Sequence, residues 1–121
     1  VGRRVLVVDD DAGVRDALGE LLQLCGHEVN VAADGLAAVE AACRGRPDVV
    51  VLDLGIPGID GLEVARRIRA ELGSAPLLVA VTGAVRPEDE ASARAAGCDR
   101  FLAKPVDVDA LEALVGGAPG A

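Results

Sequence analysis

Short aliphatic runs alternate along this chain with longer stretches in which apolar residues recur every third or fourth position. RVLVV (4–8) is the first run, and its β-branched content suits a strand. Val14, Leu18, Leu21, Leu22 and Cys25 then recur at helical spacing, and Gly26 is placed to end that helix. HEVNVA (27–32) alternates as a second strand. Asp34 is placed to cap a second helix whose apolar side is Leu36, Val39, Ala42 and Cys43. PDVVVLD (47–53) is a third strand, and its unbroken apolar run predicts burial on both faces. Leu62, Val64, Ala65, Ile68 and Leu72 mark a third helix, followed by a buried strand in APLLVAVTG (75–83). RPEDEASARAAG (86–97) is a polar, alanine-rich helix opened by Pro87 and closed by Gly97. CDRFLAKP (98–105) gives a fifth strand stopped by Pro105, and a last helix turns Val108, Leu111, Leu114 and Val115 inward. GGAPGA at the end has nothing to pack and reads as linker. Residues 1–116 are therefore expected to form one domain, with 117–121 a tail.

Five strands alternating with five helices predict an α/β fold with a doubly wound parallel sheet, because parallel strands need crossover helices that cover both faces. Open sheets of this kind place their sites at the carboxyl ends of the strands.

Composition narrows the picture. The chain has 121 residues, enough for one core without staples, and is 51% hydrophobic but 1% aromatic, so that core must be aliphatic. A net charge of −8 argues against direct nucleic-acid binding. No apolar stretch approaches a membrane span and no signal peptide is present, which predicts a cytoplasmic domain with no membrane partner. Val rather than Met at position 1 points to a fragment of a longer protein. Cys25, Cys43 and Cys98 lack any Cys-x-x-Cys pairing and read as small buried hydrophobes in a reducing compartment. His27 is the single histidine, too few for a zinc cluster or a Ser-His-Asp triad, and reads as a loop or strand-edge residue.

The strand ends carry a coherent set of groups. Asp9, Asp10 and Asp11 follow the first strand, Asp53 ends the third, Thr82 the fourth, and Lys104–Pro105 the fifth. Carboxylates gathered this closely repel one another unless a cation sits among them. An all-oxygen cluster with few protein ligands suits Mg2+, which keeps waters and shares its shell with phosphate. Asp53 then becomes a nucleophile for phosphorus, and the small residues of LGIPG (54–58) leave room for a donor to approach.

In these motifs the chain resembles a response regulator receiver domain of bacterial two-component signalling (CheY-like family). The resemblance runs from Arg4 to about Val115 and rests on the acidic pair after strand one, LDLGIPGIDGLE (52–63), the threonine closing strand four and KP closing strand five. It implies a flavodoxin-like strand order 2-1-3-4-5 and a phosphorelay role rather than enzyme turnover. Asp53 would accept a phosphoryl group from a sensor histidine kinase or histidine phosphotransfer protein. Asp9, Asp10, Asp53 and the Gly55 carbonyl would hold Mg2+, while Thr82 and Lys104 would bind phosphoryl oxygens. Thr82 and Phe101 would form the switch, and the Lys104–Pro105 bond would be cis. Output, or a homodimer, would use the face of helix four, strand five and helix five. The parent would be a response regulator or a hybrid sensor kinase.

Plainer readings stand beside these. Asp11 reads as a helix N-cap rather than a ligand, Asp60 starts the third helix, and Arg66, Arg67 and Arg69 form a solvated helix face. Phe101 is equally a core residue. Gly55, Gly83 and Ala84 are small, which predicts an open site. A flavodoxin-like electron carrier would need a glycine- and hydroxyl-rich loop where DDDAG (9–13) stands, with aromatics to stack the flavin. An aspartyl-phosphate hydrolase would carry a second acid at position 55. A phosphorylation-independent docking module is the remaining alternative.

Overall fold

The computed structural model describes residues 2–56, 58–83 and 86–116. Strands β1 (Arg4–Val8), β2 (Glu28–Ala32), β3 (Val49–Asp53), β4 (Leu77–Thr82) and β5 (Arg100–Ala103) alternate with helices α1 (Ala12–Leu24), α2 (Gly35–Gly45), α3 (Gly61–Leu72), α4 (Pro87–Ala96) and α5 (Val108–Gly116). The strands form one parallel sheet in the order β2-β1-β3-β4-β5. Val8 pairs with Leu52, Asp53 with Val81 and Thr82 with Ala103, so the ends of β1, β3, β4 and β5 lie on one edge of the molecule.

Two-residue periodicity sorts the strand side chains into two cores. Leu6, Val8, Val50, Leu52, Leu78 and Ala80 pack with α2, α3 and α4. Val5, Val7, Val49, Val51, Val79 and Val81 pack with α1 and α5. Every residue of β3 is buried, as its apolar run predicts. Asp11, Asp34 and Asp60 each cap a helix N-terminus, accepting from Gly13 and Val14, Ala37, and Glu63 backbone N–H respectively. Pro87 opens α4 and Gly97 closes it in the left-handed conformation.

Helix faces depart from the sequence expectation in two places. On α2 the buried residues are Gly35, Ala38 and Ala42, whereas Leu36 is 63% exposed. A Cβ on Gly35 would lie 2.4 Å from Ile59 Cγ1, so the helix approaches its neighbour too closely for the leucine face to turn inward. On α1, Leu18, Gly19 and Leu22 are buried, but Leu21 is on the rim and Cys25, at the C-cap, is exposed. Of the cysteines only Cys98 is buried, and burial pushes its thiol up to about 11.

Two polar residues are structural ties. Arg69 belongs to no solvated face: it donates to the carbonyls of Gly97, Gly73 and Pro76 and pairs with Asp99 at 2.6 Å. Arg66 and Arg67 do lie on an exposed face, paired with Glu63. His27 stands just before β2, as read, yet is buried. Its Nδ1 accepts from the Arg3 amide at 3.0 Å, and Nε2 meets Glu112 at 3.0 Å, tying β1 to α5.

Candidate functional site

Strand ends bring the sequence candidates together. Asp9 leaves β1 buried, at 3% exposure, and Asp53 ends β3 at 6%, whereas Asp10 is exposed. One carboxylate oxygen from each lies within 4.8 Å of the other two. The two buried acids are held by backbone and by one cation. Asp9 Oδ1 accepts from the Asp11 amide, and Asp53 Oδ1 from the Gly55 amide, both at 2.9 Å. Lys104 Nζ donates to Asp9 Oδ2 at 3.2 Å and to Asp53 Oδ2 at 3.0 Å.

The cluster is therefore one lysine against three acids. Burial pulls the Lys104 pKa down as the largest single effect, but hydrogen bonds and charge from Asp53 and Asp9 together outweigh it, and the ammonium ends above its ordinary value. Lys104 stays charged at neutral pH. Asp10 forms no hydrogen bond or ion pair among the described residues, so its charge faces two acids while Lys104 is engaged by both of them.

The surrounding residues follow the same edge. Thr82 ends β4, and its carbonyl accepts from the Lys104 amide at 2.8 Å, which fixes the lysine's backbone beside it. The Lys104–Pro105 peptide is cis. Leu54 N–H bonds Val81 O at 3.0 Å, so the loop after Asp53 starts against β4. Among the described residues, a Cβ on Gly55 would find only Asp53 Oδ1 within 4 Å, and one on Gly83 would find nothing. A cavity of about 380 Å³ opens on this side, bounded by Gly55, Thr82, Asp60 and the start of α4. On the other side a cavity of about 520 Å³ runs between α1 and the start of α5, aliphatic except where it meets Asp9, Asp53 and Lys104. Phe101 is half-buried on β5, against the core that contains α2, α3 and α4. Asp11 faces its helix, as read, and not the cluster.

Arg15 was not legible from the sequence. Its Nη1 donates to the Asp9 carbonyl at 2.8 Å, bracing the turn that aims the first acids. Only its place in the first turns of α1 could have suggested this. Pro57 and Ala84, both counted above among the small or loop-forming residues, lie outside the described residues, as does the tail 117–121.

A doubly wound parallel sheet with acids and a lysine converging at its carboxyl edge defines a CheY-like α/β protein. Residues 5–116 match the family model described as "Response regulator receiver domain", and the chain belongs to that family. Among curated proteins it is similar to "Response regulator MprA" of Mycobacterium leprae, 39% identical over 112 residues, covering 93% of this chain and 49% of that protein. The chain thus spans about half the length of the curated relatives it matches. Among solved structures it resembles the chemotaxis protein CheY4 of Vibrio cholerae at 30% identity, TM-score 0.88, covering 93% of this chain and 95% of that one. It also resembles the receiver domain of sensor histidine kinase PA1611 of Pseudomonas aeruginosa PAO1, at 30% identity and TM-score 0.85, covering 95% of each chain. That structure carries a magnesium ion in its active-site cleft. No helix among the described residues is long and apolar enough to cross a membrane.

Proposed function

We propose that this receiver domain, residues 1–116, accepts a phosphoryl group on Asp53 from a phosphohistidine of a sensor histidine kinase or histidine phosphotransfer protein. The observation that carries this is the packing of Asp9, Asp10 and Asp53 oxygens within 4.8 Å of each other beside a single lysine. Such a set is short of positive charge, and its hard oxygen donors suit Mg2+. Asp9, Asp10, Asp53 and the Gly55 carbonyl would hold the ion. When bound, it would screen the acids from one another and neutralise charge on the transferring group.

The chain's own residues would do the rest. An Asp53 carboxylate oxygen attacks phosphorus, the P–N bond of the donor breaks, and the imidazole leaves with its electron pair. The Gly55 amide and Lys104 already orient that carboxylate. Lys104 Nζ then bonds one phosphoryl oxygen and the Thr82 hydroxyl another, supplying fixed donors where charge develops. The open surroundings of Gly55 and Gly83 leave the group accessible to donor and water. Thr82 drawn toward the phosphoryl group, with Phe101 following on β5, would bias the α4–β5–α5 face toward a partner or a second copy. The domain acts in this reading as a cytoplasmic phospho-acceptor and not as a turnover enzyme, within either a response regulator or a hybrid kinase.

The test is incubation with acetyl phosphate, with and without Mg2+, followed by intact-mass measurement. A gain of one phosphoryl group that needs Mg2+ and vanishes in Asp53→Asn supports the reading. Absence of any gain, also after exposure to phosphohistidine donors, would leave the domain as a docking module.

A further inference from the structure

Beside the acceptor, Arg86 and Asp89 share the 380 Å³ cavity with Gly55 and Thr82. Gly55 is the residue whose amide bonds Asp53 Oδ1, so one wall of that cavity is the acceptor loop itself. Gly55 presents no side chain to that cavity, whose far side is Arg86, Asp89 and Ser92 of α4's first turns. Among the described residues the Arg86 side chain is engaged only by acids of its own helix. Its Nε and Nη2 donate to Asp89 at 2.9 and 3.4 Å, and Glu88 lies 3.7 Å away.

We propose that Arg86 is a second cation for the phosphorylated site, held back by Asp89 until the phosphoryl group arrives. The proposal rests on Asp53 being the acceptor. Exposed ion pairs three residues apart on a helix hold weakly, because solvent screens them and two long side chains must be ordered. A phosphoryl group presents close to two negative charges and three acceptor oxygens, and arginine's fork matches it better than it matches one carboxylate. Release costs α4 little. Arg86 is its N-cap residue yet makes no side-chain cap bond, and Glu88, Asp89 and Glu90 in the first turn are stabilised by the positive helix terminus without it. Transfer of Arg86 from Asp89 to the phosphoryl group would thus link the acceptor to α4 through one side chain.

Binding of beryllium trifluoride with Mg2+ to the whole chain, followed by ¹⁹F NMR, tests this, since the adduct forms on the acceptor carboxylate without turnover. Arg86→Ala should weaken apparent binding about fivefold, and Arg86→Lys should fall between it and the native chain. Asp89→Asn should tighten binding about twofold, and that gain should vanish when Arg86→Ala is added. A merely structural ion pair predicts the same direction of change for Arg86→Ala and Asp89→Asn, since both break it. Equal binding by the native chain and Arg86→Ala would overturn the proposal. Failure of the native chain to bind at all would instead overturn the acceptor reading, and this proposal with it.

Discussion

Asp10→Asn should make the protein more stable in the absence of divalent cations. Asp10 faces Asp9 and Asp53, with carboxylate oxygens no more than 4.8 Å apart, and has no hydrogen bond or ion pair among the described residues to lose. Two unit charges at that distance repel by about 3.5 kcal/mol at an effective dielectric of about 20, and by about 0.9 kcal/mol in bulk water. Asp10 is exposed, so the lower end applies to each of its two repulsive contacts, and after the attraction to Lys104 that is also given up the substitution should contribute about 1 kcal/mol of stability. For a chain of this length that is a rise in Tm of roughly 3–8 °C. Thermal unfolding followed by far-UV circular dichroism, in EDTA and in excess Mg2+, reads it directly. Mg2+ at about ten times its Kd should stabilise the native chain by about 1.4 kcal/mol and the variant much less. The two curves should therefore converge or cross as Mg2+ is added. A variant less stable than the native chain in EDTA, or one stabilised equally by Mg2+, would refute the claim that these acids are a strained site relieved by a cation.

Three further predictions concern the frame around the site. Arg69→Ala removes donors to Gly97, Gly73 and Pro76 carbonyls and the ion pair to Asp99, and should cost about 2–4 kcal/mol in urea unfolding, with lysine restoring only part. Gly35→Ala drives a methyl to 2.4 Å from Ile59 Cγ1 and 2.7 Å from Ile59 O, and should cost about 1–3 kcal/mol in the same assay. At pH 8 a thiol reagent should label exposed Cys25 well before Cys98, whose pKa of about 11 leaves about a hundredth of the thiolate found at its ordinary 9.0. Because that pKa is raised on folding, the Cys98 contribution to stability is full below pH 9 and is lost as pH rises towards 11, a slope that Cys98→Ala should flatten.

What the sequence discloses depends on the range of the interaction. Strands β3 and β4 were legible because burial on both faces leaves an unbroken apolar run, and the caps at Asp11, Asp34 and Asp60 because capping is settled within three residues. The inward face of α2 was legible only in part. Ala42 is buried and Val39 packs on the core, as its spacing predicts, but Leu36 faces out, because the start of the helix meets Ile59 too closely at Gly35. Arg69 and His27 were misjudged or underread because their partners lie far along the chain. Asp99 is 30 residues from Arg69, and Glu112 is 85 from His27. At the site, the strand-end rule identified Asp9, Asp10, Asp53, Thr82 and Lys104 as neighbours. It could not show that Asp9 is buried and salt-bridged while Asp10 stands exposed with no ion pair among the described residues, because that difference arises from Asp9's bonds to the Asp11 amide and to Lys104, 95 residues away.

The most direct measurement is to locate the phosphoryl group. After reaction with acetyl phosphate and Mg2+, the chain is reduced with borohydride, which converts an aspartyl phosphate to homoserine, and its peptides are sequenced by mass spectrometry. Homoserine at Asp53 and at no other acid, absent without Mg2+, is the predicted result. Homoserine at Asp9, Asp10 or a surface carboxylate in place of Asp53 would contradict the account.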